Sequence, residues 1–86
     1  MENIEKIKQY LELVFDKVEI QYYEPQLTTQ FIFEQNGKTI RRNYFKATHG
    51  DLFAKPQKET DIKIFCKGLA LDVMDQFIEE GIISTN

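Results

Sequence analysis

Apolar residues recur every three or four positions at both ends of this chain and every second position in between. Ile4, Ile7, Leu11, Val14, Phe15 and Val18 predict an amphipathic helix over 2–17. Val18, Ile20 and Tyr22 then alternate with Glu19, Gln21 and Tyr23, the period of a strand, which Pro25 ends. Segments 27–35 and 38–46 flank Asn36-Gly37, a pair whose tolerance of positive φ suits a type I′ hairpin turn. The stretch ATHGDLFAKPQKE, 47–59, is rich in turn formers and charges and reads as a loop, with Leu52 and Phe53 plugging the core. Thr60 is placed to cap a second helix over 61–80, with Asp61 in its first turn and Ile62, Phe65, Cys66, Leu69, Val73 and Phe77 at helical spacing. Gly81 followed by Ile82 predicts a Schellman stop. Ile62, Ile64 and Cys66 also alternate, as in a fourth strand, but the helical pattern continues unbroken after them.

The predicted order is α-β-β-β-α, an α+β domain over 1–86 in which two helices pack on one face of a three-stranded antiparallel meander. With Gly37-Lys38 turning into the third strand, this order resembles the double-stranded RNA-binding domain. The resemblance implies the fold. That family grips RNA through a Gly-Pro-x-His loop between its first two strands and a Lys-Lys-x-Ala-Lys run opening its last helix. The corresponding stretches here are YEPQL and IFCKGLA, where Lys67 alone is a partial match, so RNA binding is not carried over.

A two-residue turn pairs Phe33 with Ile40, Phe31 with Arg42 and Thr29 with Tyr44 on one face of the hairpin, to which Leu27 also belongs. The other face pairs Ile32 with Arg41, Gln30 with Asn43 and Thr28 with Phe45. Adjacent Arg41 and Arg42 therefore point in opposite directions and do not form one basic clamp. The first face is the more apolar and should meet the helices. Arg42 then lies at the core boundary and needs an acceptor, which Asp72, Asp75 or Glu79 is placed to supply. Tyr23, Ile32, Arg41 and Phe45 belong to the open face.

The second helix carries two apolar stripes. Ile62, Phe65, Leu69, Val73 and Phe77 form one; Ile64, Leu71, Met74 and Ile78 lie roughly opposite, with Asp61, Asp72, Asp75 and Glu79 along one flank. A helix apolar on both sides should be covered on both sides, either by the first helix and the Ile82-Ile83 tail or by another chain.

Composition narrows the chemistry. The chain has 86 residues and a net charge of −3, which weakens the case for nonspecific nucleic-acid binding. Glu2 and Glu5 stand where a secretion signal would be basic, and no apolar run reaches bilayer length, so neither export nor a membrane span is expected. Cys66 is the single cysteine, which fits a reducing cytoplasm. It falls on the buried side of its helix and reads as no nucleophile. His49, the single histidine, reads as a turn residue. With no P-loop, Gly-x-Ser-x-Gly or Cys-x-x-Cys motif, no enzyme, metal or cofactor is expected.

The expectation is a small noncatalytic protein that binds protein, an inhibitor or regulator of the kind encoded by bacteria and their phages, or a homodimer. Its contact residues would be Ile64, Leu71, Met74, Ile78, Asp72 and Asp75 on the second helix, with Tyr23, Ile32, Arg41 and Phe45 on the open sheet face. The alternative is a nucleic-acid-binding module using Lys55, Lys58, Lys63 and Lys67 near that helix's start.

Overall fold

Asn36 and Gly37 adopt φ of 51° and 79°, the left-handed pair a type I′ turn requires. A computed structural model describes residues 2–84; Met1, Thr85 and Asn86, also within the predicted domain, lie outside it. The turn joins strands β2 (Thr28–Gln35) and β3 (Lys38–Phe45), and β1 (Lys17–Tyr23) pairs with the other side of β2, giving an antiparallel sheet in the order β1-β2-β3. The hairpin register agrees with the predicted one: Phe33 opposes Ile40, Phe31 opposes Arg42, and Ile32 opposes Arg41. Three helices, α1 (Glu2–Glu12), α2 (Lys46–Ala54) and α3 (Glu59–Glu79), complete an α+β arrangement that follows the α-β-β-β-α order with α2 inserted before the last helix.

One cluster forms the core. Phe31, Phe33 and Val18 of the sheet, Ile7 and Leu11 of α1, and Ile62, Val73 and Phe77 of α3 are essentially removed from solvent. Phe15 meets Phe33 edge-on at 5.0 Å between ring centroids and Phe77 at 5.9 Å. It does so from a turn, because α1 stops at Glu12 and not at 17. The chain tightens there, with Val14 N donating to Leu11 O at 3.0 Å, so that Phe15 can drop inward before β1 begins. Asp16 ties this turn to the hairpin tip by accepting from Asn36 N at 3.1 Å.

Three further expectations are corrected. Residues 46–54 are helical, not loop. Phe53 anchors α2 among the rings of Phe31, Tyr44 and Phe65, and Pro56 lies just beyond its end. Asn3 Nδ2 donates to Leu52 O (2.8 Å) and Lys55 O (2.6 Å), so α1 serves carbonyls that a helix C-terminus leaves open. Leu27 is not on the inner face: it is exposed, with φ 49°, and closes a 3-10 turn over Glu24–Gln26. Thr60 is not the cap of α3, which starts at Glu59 with Lys58 before it. The predicted Schellman stop is present, with Ile82 N donating to Phe77 O (2.9 Å) and Gly81 N to Ile78 O (3.0 Å) around Gly81 at φ 75°.

Arg42 finds the expected acceptor. Its Nε donates to Asp72 Oδ2 at 3.2 Å, its guanidinium also reaches Gln76 Oε1, and its side chain is 28% exposed. Arg41 is exposed on the other face. Removing Arg42 strips packing from Phe31 and takes the donor from the half-buried Gln76 Oε1 and the ion pair from Asp72. Arg42→Ala should therefore lower unfolding stability by about 1–2 kcal/mol, and Arg41→Ala by less than about 0.5 kcal/mol. Urea unfolding of the two variants checks this; equal losses would contradict the register.

Candidate interaction surface

Helix α3 places its two apolar stripes differently. Ile62, Cys66, Leu69, Val73 and Phe77 are buried, while Phe65 is half-buried in an aromatic cluster with Phe31, Tyr44 and Phe53. On the opposite stripe Ile64 is 65% and Leu71 57% exposed, whereas Met74 and Ile78 are half-buried. Internal cover thus reaches the edge of the second stripe and stops short of its centre. The tail's Ile82 and Ile83 pack against the core without covering Ile64 or Leu71.

A groove of about 350 Å³ runs between α1 and α3 beside this stripe. Tyr10 of α1 and Val14 of the turn after it form one wall, Cys66, Ala70 and Met74 the floor, and Lys63, Lys67 and Leu71 the other wall. Leu13, exposed in the turn just past α1, extends the apolar character past its rim. Tyr10 fixes the wall by bonding Glu59, which Lys6 Nζ also approaches at 3.2 Å, and the Lys63 ammonium sits 5.9 Å from the Tyr10 ring centroid. The Tyr10 hydroxyl, followed by Lys6, holds the Glu59 carboxyl below the usual range. The sequence marks Val14 only as part of the apolar stripe of the first helix and does not single out Tyr10 at all.

Of the two acids expected at this surface, Asp72 is engaged by Arg42, and Asp75 is exposed. The sheet residues lie on the far side of the core. There Glu19, Ile32 and Arg41 form one cross-strand set, and Tyr23, Thr28 and Phe45 another. Ile32 is half-buried and Thr28 buried, while Tyr23 and Phe45 remain exposed beside Leu27. The ten expected contact residues therefore fall on two separate faces.

His49 is in α2 rather than a turn, its ring 4.6 Å from that of Tyr44 and its Nδ1 2.8 Å from Thr48 Oγ1. Among the described residues no group of three His, Cys, Asp or Glu side chains is placed to hold a metal ion, and no helix is long and apolar enough to cross a membrane. No family model, curated protein or solved structure matches the chain. The likeness to the double-stranded RNA-binding domain accordingly remains one of element order, which α2 interrupts.

Burial pushes the Cys66 thiol up to about 11 from 9.0. The unfolded thiol ionises first as pH rises, so its contribution to stability is complete below about pH 9 and is lost toward pH 11. At pH 8 the thiolate fraction in the folded chain is roughly a hundredfold smaller than in the unfolded one. Alkylation of Cys66 should slow by at least that factor on folding and recover in denaturant, as mass spectrometry of iodoacetamide-treated samples would read. Equal rates in both states would show the sulfur to be open.

Proposed function

We propose that this chain is a noncatalytic protein-binding protein, an inhibitor or regulator of small size, and that it makes contact through the outward face of α3. One observation supports the reading above the rest: Ile64 and Leu71 stand exposed on a helix whose opposite side already fills the core. Apolar surface left uncovered there favours a protein partner, since association removes it from water. The adjoining groove supplies the concave, largely apolar floor into which an anchor side chain packs.

The lysines of the nucleic-acid alternative are less available than their number implies. Lys55 is 3.4 Å from Asp51, Lys63 lies over Tyr10, and Glu59 and Asp61 interrupt the set at the start of α3. A phosphate backbone meets acids there as well as bases.

The test is an affinity capture with tagged chain, with and without nuclease. The tagged wild type should retain protein, its own untagged copy or another chain, after nuclease treatment. Leu71→Glu combined with Ile78→Glu should keep the circular dichroism of the wild type and lose that protein. Retention abolished by nuclease, or retained protein unaffected by the substitutions, would overturn the proposal. Unfolding of the double variant would place the stripe in the core; Leu71→Glu alone, at a more exposed position, then provides the same comparison.

A further inference from the structure

Residues four apart on a helix form a continuous ridge. The ridge through Leu71 starts at Glu59 and continues Lys63, Lys67, Leu71, Asp75, Glu79, the last five being two bases, one leucine and two acids. All five are exposed, and among the described residues Lys67, Asp75 and Glu79 make no ion pair. From Lys63 to Glu79 the charges are antisymmetric about Leu71, with Lys67 and Asp75 four residues to either side and Lys63 and Glu79 eight, while Glu59 has no counterpart on the helix.

The helix's own physics does not favour this arrangement. Like charges four residues apart repel, and the ridge contains two such pairs, Lys63 with Lys67 and Asp75 with Glu79; Glu59 offsets Lys63, which leaves Lys67, Asp75 and Glu79 without an opposite charge four residues away on the ridge. An acid in the last turn opposes the helix dipole, and α3 has no base there to offset Glu79. The pattern becomes favourable when the same ridge is laid against it in the reverse direction. Lys67 then faces Asp75 of the second ridge and Leu71 meets Leu71, while Lys63, held over Tyr10 within the monomer, lies toward Glu79. Ile64 and Ile78, each seven residues from Leu71, are brought toward one another in the same way. Helices that cross with their four-residue ridges aligned, a common packing class, provide this geometry.

Gly68 is the second feature. It lies in the middle of α3, is exposed, has an ordinary helical φ, and a Cβ built on it would meet nothing within 4 Å. Nothing inside the monomer requires a glycine there, and glycine costs a helix interior about 1 kcal/mol relative to alanine. Next to Leu71 it leaves the room a second leucine needs for the backbones to approach.

We infer that the occupant of the α3 face is a second copy of this chain, in a two-fold dimer whose α3 helices run antiparallel and cross at Leu71. This inference rests on the protein-binding reading of that face and names the partner. A two-fold contact must be self-complementary: where one residue of the first copy meets another of the second, the same two residues meet again with the copies exchanged. The sequence about Leu71 has that property, which an unrelated partner would not demand.

Sedimentation of three proteins tests it. The wild type should dimerise, to twice 10.2 kDa. Lys67→Glu and Asp75→Lys should each weaken self-association by roughly tenfold, because each places like charges across the axis. An equimolar mixture of the two variants should associate within about threefold of wild type, since in the heterodimer the introduced carboxylate of one chain faces the introduced ammonium of the other. Both positions are exposed, so circular dichroism should be unchanged in each. A wild type monomeric up to roughly 1 mM, or a dimer indifferent to both reversals, or variants that do not rescue each other, would overturn the pairing. If the wild type is monomeric yet captures another protein that the Leu71→Glu, Ile78→Glu variant loses, the second copy is the wrong occupant and the protein-binding reading stands. If it is monomeric and captures none, both fail.

Discussion

Phe31 and Phe33 are two residues apart on the central strand, so they must share one face of the sheet, and their burial decides which way every other residue of the hairpin points. The consequence extends beyond the sheet. Arg42 stands opposite Phe31 and is drawn inward with it, where a guanidinium requires an acceptor. Asp72 and Gln76, four residues apart on α3, provide one, and by doing so help set the rotation of α3 about its axis. With Val73 and Phe77 turned into the core and Asp72 toward β3, Ile64 and Leu71 can only face outward. The exposed stripe is thus linked to the strand register.

The parts of this structure legible in the sequence are those in which local pattern and tertiary packing agree. Asn36-Gly37 permits only a few turns, and alternation on either side then fixes the pairing, so the hairpin and the opposed directions of Arg41 and Arg42 could be read without coordinates. The stop at Gly81 was legible for the same reason. Helix α2 was not. Thr48, His49 and Gly50 are weak helix formers, and the segment is held by Phe53 in an aromatic cluster and by Asn3 on its last carbonyls, contacts from residues distant in sequence. The end of α1 was obscured because Val14 and Phe15 continue the helical spacing, although Phe15 reaches the core from a turn. Leu27 alternates correctly for an inward strand residue, yet the reversal after Pro25 uses it as the left-handed residue of a 3-10 turn.

The two stripes of α3 show what a periodicity can and cannot say. It placed Ile64 and Leu71 away from the core, and they are there. It did not separate them from Met74 and Ile78, because partial cover depends on how closely α1 lies alongside, and on Tyr10 being fixed to Glu59. Nor could it reveal that Asp72 would be taken up by Arg42 while Asp75, three residues on, stays exposed.

The outward faces of α3 and of the sheet differ in how much of their apolar surface is already satisfied. On the sheet, Ile32 lies between Glu19 and Arg41, Lys17 approaches Glu19 at 3.1 Å, and Thr28 is buried between its neighbours, leaving exposed apolar groups mainly at the end formed by Tyr23, Leu27 and Phe45. A solvated antiparallel sheet tolerates that distribution. On α3 the exposed apolar groups lie beside a groove, and the charges around them are disposed against the helix's own preferences. That difference is why the proposed contact is assigned to α3 and not to the sheet. Because the two faces lie on opposite sides of the core, occupation of α3 leaves Tyr23, Arg41 and Phe45 exposed, so a pair of chains joined through α3 would present two copies of the sheet face to any further partner.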